Sequence, residues 1–146
     1  MNTHEYLATQ KFDENFNCSQ SVLYAFKDKL PVAPEQLLAI AAGFGGGIAR
    51  YEEICGAVSG GIMALGLLLS DQQLDPIRHK EQTYAKTRVL MDSFKKTFGS
   101  YLCRDLLGEC NHQTEAGRAA YKANDIKNKV CRKCVAEAAK ITASLI

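Results

Sequence analysis

Six cysteines, at positions 18, 55, 103, 110, 131 and 134, are the residues of this 146-residue chain best equipped for chemistry. A thiolate attacks disulfides and binds soft metal ions, so gathered cysteines point to a redox or a metal site. Cys131-Arg132-Lys133-Cys134 forms a Cys-x-x-Cys pair, with Lys127 and Lys129 just before it. Positive neighbours lower a thiol pKa from its reference of about 8.5, which favours the reactive form. No strand leads into the pair, so it lacks the thioredoxin setting. The other cysteines are not paired at the close spacing of a zinc knuckle.

Cys18, Cys55, Cys103 and Cys131 each fall at or near a predicted helix start. Unpaired N–H groups and the positive end of the helix dipole favour thiolate at such places. If those helix starts converge, several activated sulfurs meet. The competing reading is that free cysteine packs as a small buried hydrophobe, and in three of these helices the cysteine opens the apolar stripe.

The elements that must position these sulfurs read as helical throughout, and the expected fold is all-α: one compact bundle over residues 1–146, built around a glycine-rich apolar helix. Prolines occur only at 31, 34 and 76, and no segment alternates with a period of two. A short helix is expected over 5–10. Asn17 is the expected N-cap of a second helix, with Cys18, Val22, Ala25 and Phe26 on one face, ending near Leu30. Pro34 opens a third, stopped at Gly43. Gly43-Phe44-Gly45-Gly46-Gly47 then leads, through Arg50 and Glu52-Glu53, into the apolar helix. That helix shows a stripe of Cys55, Val58, Ile62, Leu65 and Leu69. Gly56, Gly60 and Ala64 on another face should let a neighbouring backbone approach.

Asp75-Pro76 marks the start of the longest helix, 76–98, ended by Gly99. Its Ile77, Tyr84, Met91 and Phe98, with Phe94 alongside, are expected in the core, with a partner helix across a homodimer as the alternative. A short turn over 103–107, an exposed helix over 114–123 and a final helix over 131–146 complete the pattern. The last carries Cys131, Cys134, Val135, Ala138, Ile141 or Thr142, and Leu145 on one stripe.

Charge narrows the function. With 18 Lys+Arg against 16 Asp+Glu the chain is nearly neutral, which argues against nucleic acid as a partner. The charge is uneven, however: residues 1–110 carry 11 basic and 13 acidic side chains, and residues 111–146 carry 7 and 3. Basic groups thus gather around Cys131 and Cys134. The start, Met1 to Tyr6, has no basic stretch followed by an apolar run, so no secretory signal and a cytoplasmic setting are expected. The apolar run from Ile54 to Leu69 is too short to span a membrane. The glycine-rich stretch lacks a Walker ending; close packing is expected of it, with an anion held by its N–H groups and Arg50 as the alternative. His4, His79 and His112 form no ligand pair and are expected at the surface.

These residues resemble a family of redox-active bacterial and archaeal proteins named for a Cys, Gly-Cys-Ala-x-x-Gly, Cys, Cys signature. The resemblance covers nearly the whole chain. It rests on Asn17-Cys18-Ser19-Gln20-Ser21-Val22, the glycine-rich stretch with Arg50, and Cys55-Gly56-Ala57-Val58-Ser59-Gly60. Phe98-Gly99-Ser100, Cys103-Arg104-Asp105-Leu106-Leu107-Gly108 and Val130-Cys131 complete it. Glu52 stands where many members have glycine, and Cys110 and Cys134 lie outside the signature. The resemblance implies a redox role centred on Cys18, Cys55, Cys103 and Cys131, exchanging disulfides or passing electrons to an unidentified partner protein. The alternative is that the same four thiolates, with Cys134 as a further donor, ligate zinc or an iron–sulfur cluster. A third reading is a helical module whose cysteines only pack.

Overall fold

The computed structural model describes residues 2–70 and 75–146. Eight helices carry the fold: α1 Thr3–Asp13, α2 Cys18–Tyr24, α3 Pro34–Ala41, α4 Gly56–Leu68, α5 Pro76–Phe98, α6 Cys103–Leu107, α7 Glu115–Ala123 and α8 Arg132–Ser144. The all-α expectation holds: no strand forms among the described residues, where an isolated antiparallel bridge joins Ile54 to Leu102. Among them, too, no helix is long and apolar enough to cross a membrane.

Local chemistry sets most boundaries. Asn2 and Asn17 each close a capping box, Asn17 accepting from the Gln20 N–H at 2.9 Å while the Gln20 side chain accepts from the Asn17 N–H at 3.0 Å. Asp75 caps α5 through the N–H groups of Ile77 and Arg78, with Pro76 as its first residue, and Gly99 ends it at φ +86°. Two expected lengths were off. The first helix runs to Asp13, three residues beyond the expected end. The second stops at Tyr24, followed by a single 3-10 turn over Lys27–Lys29.

α4 is the central element, packed by α2, α5 and α8. Its glycines make this possible. A Cβ at Gly60 would lie 2.6 Å from the Ser19 carbonyl oxygen, and one at Gly56 would lie 2.9 Å from the Phe44 carbonyl oxygen. α2 therefore crosses α4 backbone to backbone. Val22, Leu23, Phe26, Val58, Leu65, Leu90, Phe94 and Val135 fill the core between the helices. Arg132 of α8 holds Asp13 of α1 through two hydrogen bonds of 2.9 and 3.0 Å, tying the last helix to the first.

The stripe expected on the longest helix is corrected here. Ile77 and Tyr84 are 70% and 54% exposed, Met91 and Phe98 are half-buried, and the fully buried residues of α5 are Leu90 and Phe94. The fully buried positions of α5 lie in its C-terminal half, while its first turns meet α4 through His79, whose ring nitrogen lies 2.7 Å from the Gly66 carbonyl oxygen.

Replacing Gly60 by Ala should lower unfolding stability by about 2 kcal/mol, since the contacted atom is backbone and must shift. Gly66, on the same helix with nothing within 4 Å of its Cβ direction, should gain roughly 0.5–1 kcal/mol as Ala. Urea denaturation midpoints of the two variants measure this difference; equal midpoints would show that the α2–α4 crossing is not glycine-dependent.

Candidate functional site

Five of the six sulfurs meet at one cavity of about 470 Å³, lined by Cys18, Cys55, Cys103, Cys131 and Cys134. Cys110 lies away from it, half-buried, with the Asn124 side-chain amide 3.9 Å from its sulfur. Different local devices deliver each sulfur. Asn17 fixes Cys18 at the start of α2 and also donates to the Ala42 carbonyl at 2.9 Å, linking α2 to the end of α3. Cys55 is the N-cap of α4. Cys103 begins α6 and is brought beside Cys55 by the bridge: the Cys55 N–H donates to the Tyr101 carbonyl (2.8 Å) and the Cys103 N–H to the Glu53 carbonyl (2.7 Å).

Cys131 departs from expectation. The last helix does not begin there: a π-helical turn, Lys127–Cys131, runs directly into α8. Cys131 therefore sits inside a continuous helical segment, not at its exposed N-terminal end. Three residues on, Cys134 lies on the same face and points inward, 1% exposed. Sequence spacing signalled this pair, but the four-cysteine signature set Cys134 apart.

The sulfurs are electrostatically coupled two by two, Cys18 with Cys131 and Cys55 with Cys134. In the first pair Cys131 carries the charge. The Cys18 thiol, the Tyr121 hydroxyl 3.5 Å away and the Lys127 ammonium together bring its pKa down to about 7, against the opposing effect of burial. Cys18 moves the other way, well above its usual value, because Cys131 favours its protonated form and its site is buried. In the second pair Cys55 is lowered, first by Cys134 and then by the Ala57 and Val58 N–H groups at the open start of α4; Cys134 is raised by the same coupling. Cys103 has no sulfur partner of this kind, and burial with neighbouring negative charge pushes it up to about 12.

The helix-start argument thus describes Cys55 alone. At Cys18 and Cys103, burial and sulfur neighbours outweigh the backbone N–H groups. At Cys131, side-chain donors supply the stabilisation instead.

Two further residues, Tyr121 and His112, line the cavity, and Glu52 lies behind them. Tyr121 reaches Cys131 from α7, and the His112 ring contacts the Tyr121 ring at 4.7 Å between centroids. His112 lines the cavity instead of lying on the open surface, and burial together with Arg50 holds its pKa below the ordinary value. Glu52, 3% exposed, accepts a 2.6 Å hydrogen bond from the His112 N–H, and Gln113 donates to the Arg50 carbonyl. Glu52 thus pins the loop that leads into α7. Nothing in the sequence marked Tyr121, whose helix reads as an exposed surface element.

The glycine-rich stretch is a left-handed turn. Gly46, Gly47, Ile48, Ala49 and Arg50 all have positive φ, between 49° and 68°. At Gly47 a Cβ would lie 2.8 Å from Cys103 Cβ and 2.7 Å from Glu52 Cα, so the close-packing expectation holds. Glu52 itself has φ +62°, the region that favours glycine, where the resembling family often has one.

The five soft donors match the chemistry of zinc or an iron–sulfur cluster. As placed, however, among the described residues no three Cys, His, Asp or Glu side chains could together hold a metal ion.

The sequence model of a family described as "Putative redox-active protein (C_GCAxxG_C_C)" matches residues 16–145. The chain belongs to this family. It is also 32% identical over 101 residues to an uncharacterized protein of Archaeoglobus fulgidus, an alignment covering 64% of this chain and 67% of that protein. No solved structure matches the chain significantly.

Because the lowered Cys131 pKa favours the thiolate, its reactive fraction rises as pH increases through about 7 and is lost below it. Alkylation by iodoacetamide, followed at Cys131 by mass spectrometry, should titrate with a midpoint near that value. Tyr121→Phe removes a donor to the charged form, so the midpoint should move upward. An unmoved midpoint would remove Tyr121 from the site's electrostatics.

Proposed function

We propose that this family member is a thiol–disulfide redox protein whose working groups are two dithiol pairs, Cys18 with Cys131 and Cys55 with Cys134. The observation that carries this reading is the gathering of five cysteines around one cavity, where Cys18 couples to Cys131 and Cys55 to Cys134 and each pair has one sulfur shifted toward thiolate. A coupled thiol and thiolate are the two reactants of disulfide formation, lacking only an acceptor for two electrons.

In the outer pair the Cys131 thiolate attacks one sulfur of a substrate disulfide. That S–S bond breaks, one thiolate departs, and Cys131 is left in a mixed disulfide. Cys18 then loses its proton to the departed thiolate and attacks the Cys131 sulfur. The second substrate thiolate leaves, and a Cys18–Cys131 disulfide remains. Two thiols are oxidised and one substrate disulfide is reduced to two thiols. The inner pair, Cys55 and Cys134, can return the outer disulfide to dithiol by the same exchange, so the reduced cavity stores four electrons. Cys103, held protonated by burial, stands beside both pairs without a partner of its own.

Oxidation of the reduced protein with a small excess of diamide should remove four of its six titratable thiols. Peptide mapping should show Cys18–Cys131 and Cys55–Cys134 linkages, with Cys103 and Cys110 still alkylated. Cys131→Ser should abolish the first linkage and leave the second. Stoichiometric zinc or iron in anaerobically purified protein, lost in Cys55→Ser, would replace this reading with the ligand one. Absence of both metal and a reversible disulfide would leave packing as the cysteines' role.

A further inference from the structure

The cavity around the sulfurs also carries information about what the outer pair reacts with. Cys131 is recessed within it, half-buried, at a volume of about 470 Å³. Pockets of a few hundred cubic ångströms take small molecules. A disulfide on the surface of a folded protein would not enter so concave a space, whereas a small organic disulfide would fit.

The charge of the walls is one-sided. Arg50 and Lys127 both line the cavity, and among the described residues no aspartate or glutamate does. Among the described residues neither cation is in an ion pair; the acidic groups with close basic partners are Glu14, Asp28, Glu53 and Asp13, held by Lys11, Lys27, Arg104 and Arg132. Lys127 donates to the neutral Asn15 side chain at 3.1 Å. His112, neutralised by burial and by Arg50 itself, adds no competing charge. Outside the mouth, a more open groove shares Arg50, His112, Tyr121 and Lys127 with the cavity and continues to Arg118 and Lys122 alongside Glu115 and Asp125, so the one-sided charge belongs to the cavity and not to the groove. Phe12, Phe16 and Leu106 supply apolar lining, with the Lys127 ammonium 5.4 Å from the centre of the Phe12 ring.

We infer that the cavity binds a small organic disulfide bearing negative charge, its anionic groups facing Arg50 and Lys127 while its S–S bond lies against Cys131. This rests on the dithiol reading and narrows it to a substrate class. The cations do two things for such a substrate. They raise its local concentration at the mouth, and they orient it so that one sulfur meets the recessed nucleophile. A cationic disulfide of the same size would be repelled by the same groups.

The test is single-turnover reaction of the reduced protein with three matched disulfides: 3,3′-dithiodipropionate (anionic), bis(2-hydroxyethyl) disulfide (neutral) and cystamine (cationic). Each rate is divided by that of free 2-mercaptoethanol, which removes the reagents' own reactivity. The corrected anionic rate should exceed the cationic one by about tenfold or more at low salt, falling toward unity as ionic strength rises. Arg50→Gln should lower that ratio at least threefold, and Arg50→Lys should restore it. Corrected rates independent of charge, with the Cys18–Cys131 disulfide still formed, would overturn the anionic substrate and leave the dithiol reading standing. Failure of all three reagents to form that disulfide would overturn both.

Discussion

One interaction, between the Cys18 thiol and the Cys131 sulfur, sets the conditions that the rest of the structure has to meet. A thiolate removed from water is unfavourable unless donors replace the lost hydration. Here the stabilising groups come from three separate parts of the chain: Cys18 at the start of α2, Tyr121 on α7 and, through its charge, Lys127 in the π turn before α8. Residues more than 100 positions apart must therefore be held within ångströms. The Asp13–Arg132 pair keeps the start of α8 against the end of α1, and α2 begins five residues beyond that end. Gly56 and Gly60 let α2 settle onto α4, which brings Cys18 to the same cavity as Cys55. Packing and electrostatics are thus not separate requirements: loss of either close approach leaves a buried sulfur without its donor.

What the sequence conveyed was chiefly local. Asn17, Asp75-Pro76, Gly99 and Gly108 mark helix ends through side-chain caps, a fixed proline φ and glycine's positive φ, and each acts within a few residues. The glycine face of α4 was legible for the same reason, since a four-residue interval on a helix lies on one side. The π turn was not legible. Bonds from i to i+5 carry no side-chain signature, so the segment before Cys131 gave no sign that the helix had already begun. The pairing of 52–55 with 101–104 was hidden too, because it depends on where α5 returns the chain and not on alternation in either segment. That pairing places Cys103 beside Cys55, while the same-face position of Cys134 gives Cys55 its actual partner.

The error about thiol activation has a single physical origin. A helix start offers partial charges whose effect fades within a turn, while burial among other sulfurs acts at full strength on any charged form. At Cys103 the second effect dominates and the thiol stays protonated; at Cys55 the coupling to Cys134 joins the helix start, and the balance reverses. Position on a helix therefore does not decide which sulfur ionises. The partner does.

The left-handed turn from Gly46 to Arg50 shows how much conformational energy is committed to this arrangement. Non-glycine residues in that region cost about 1–2 kcal/mol each, and Ile48, Ala49, Arg50 and Glu52 all occupy it. Hydrogen bonds from the Glu52 and Glu53 N–H groups to the Gly46 and Gly47 carbonyls, at 3.1 and 2.9 Å, offset part of this. Folded the right-handed way, the segment would turn Arg50 away from the cavity and remove the Gly47 surface against which Cys103 packs. Two of its five positions are glycine, where the cost is small, and the strain falls on the residues that end at Arg50. Among the described residues this is the longest run of positive φ, and it ends on Arg50, which lines the cavity that the sulfurs share. A chain under no demand to put charge there would have a less costly route from α3 to α4.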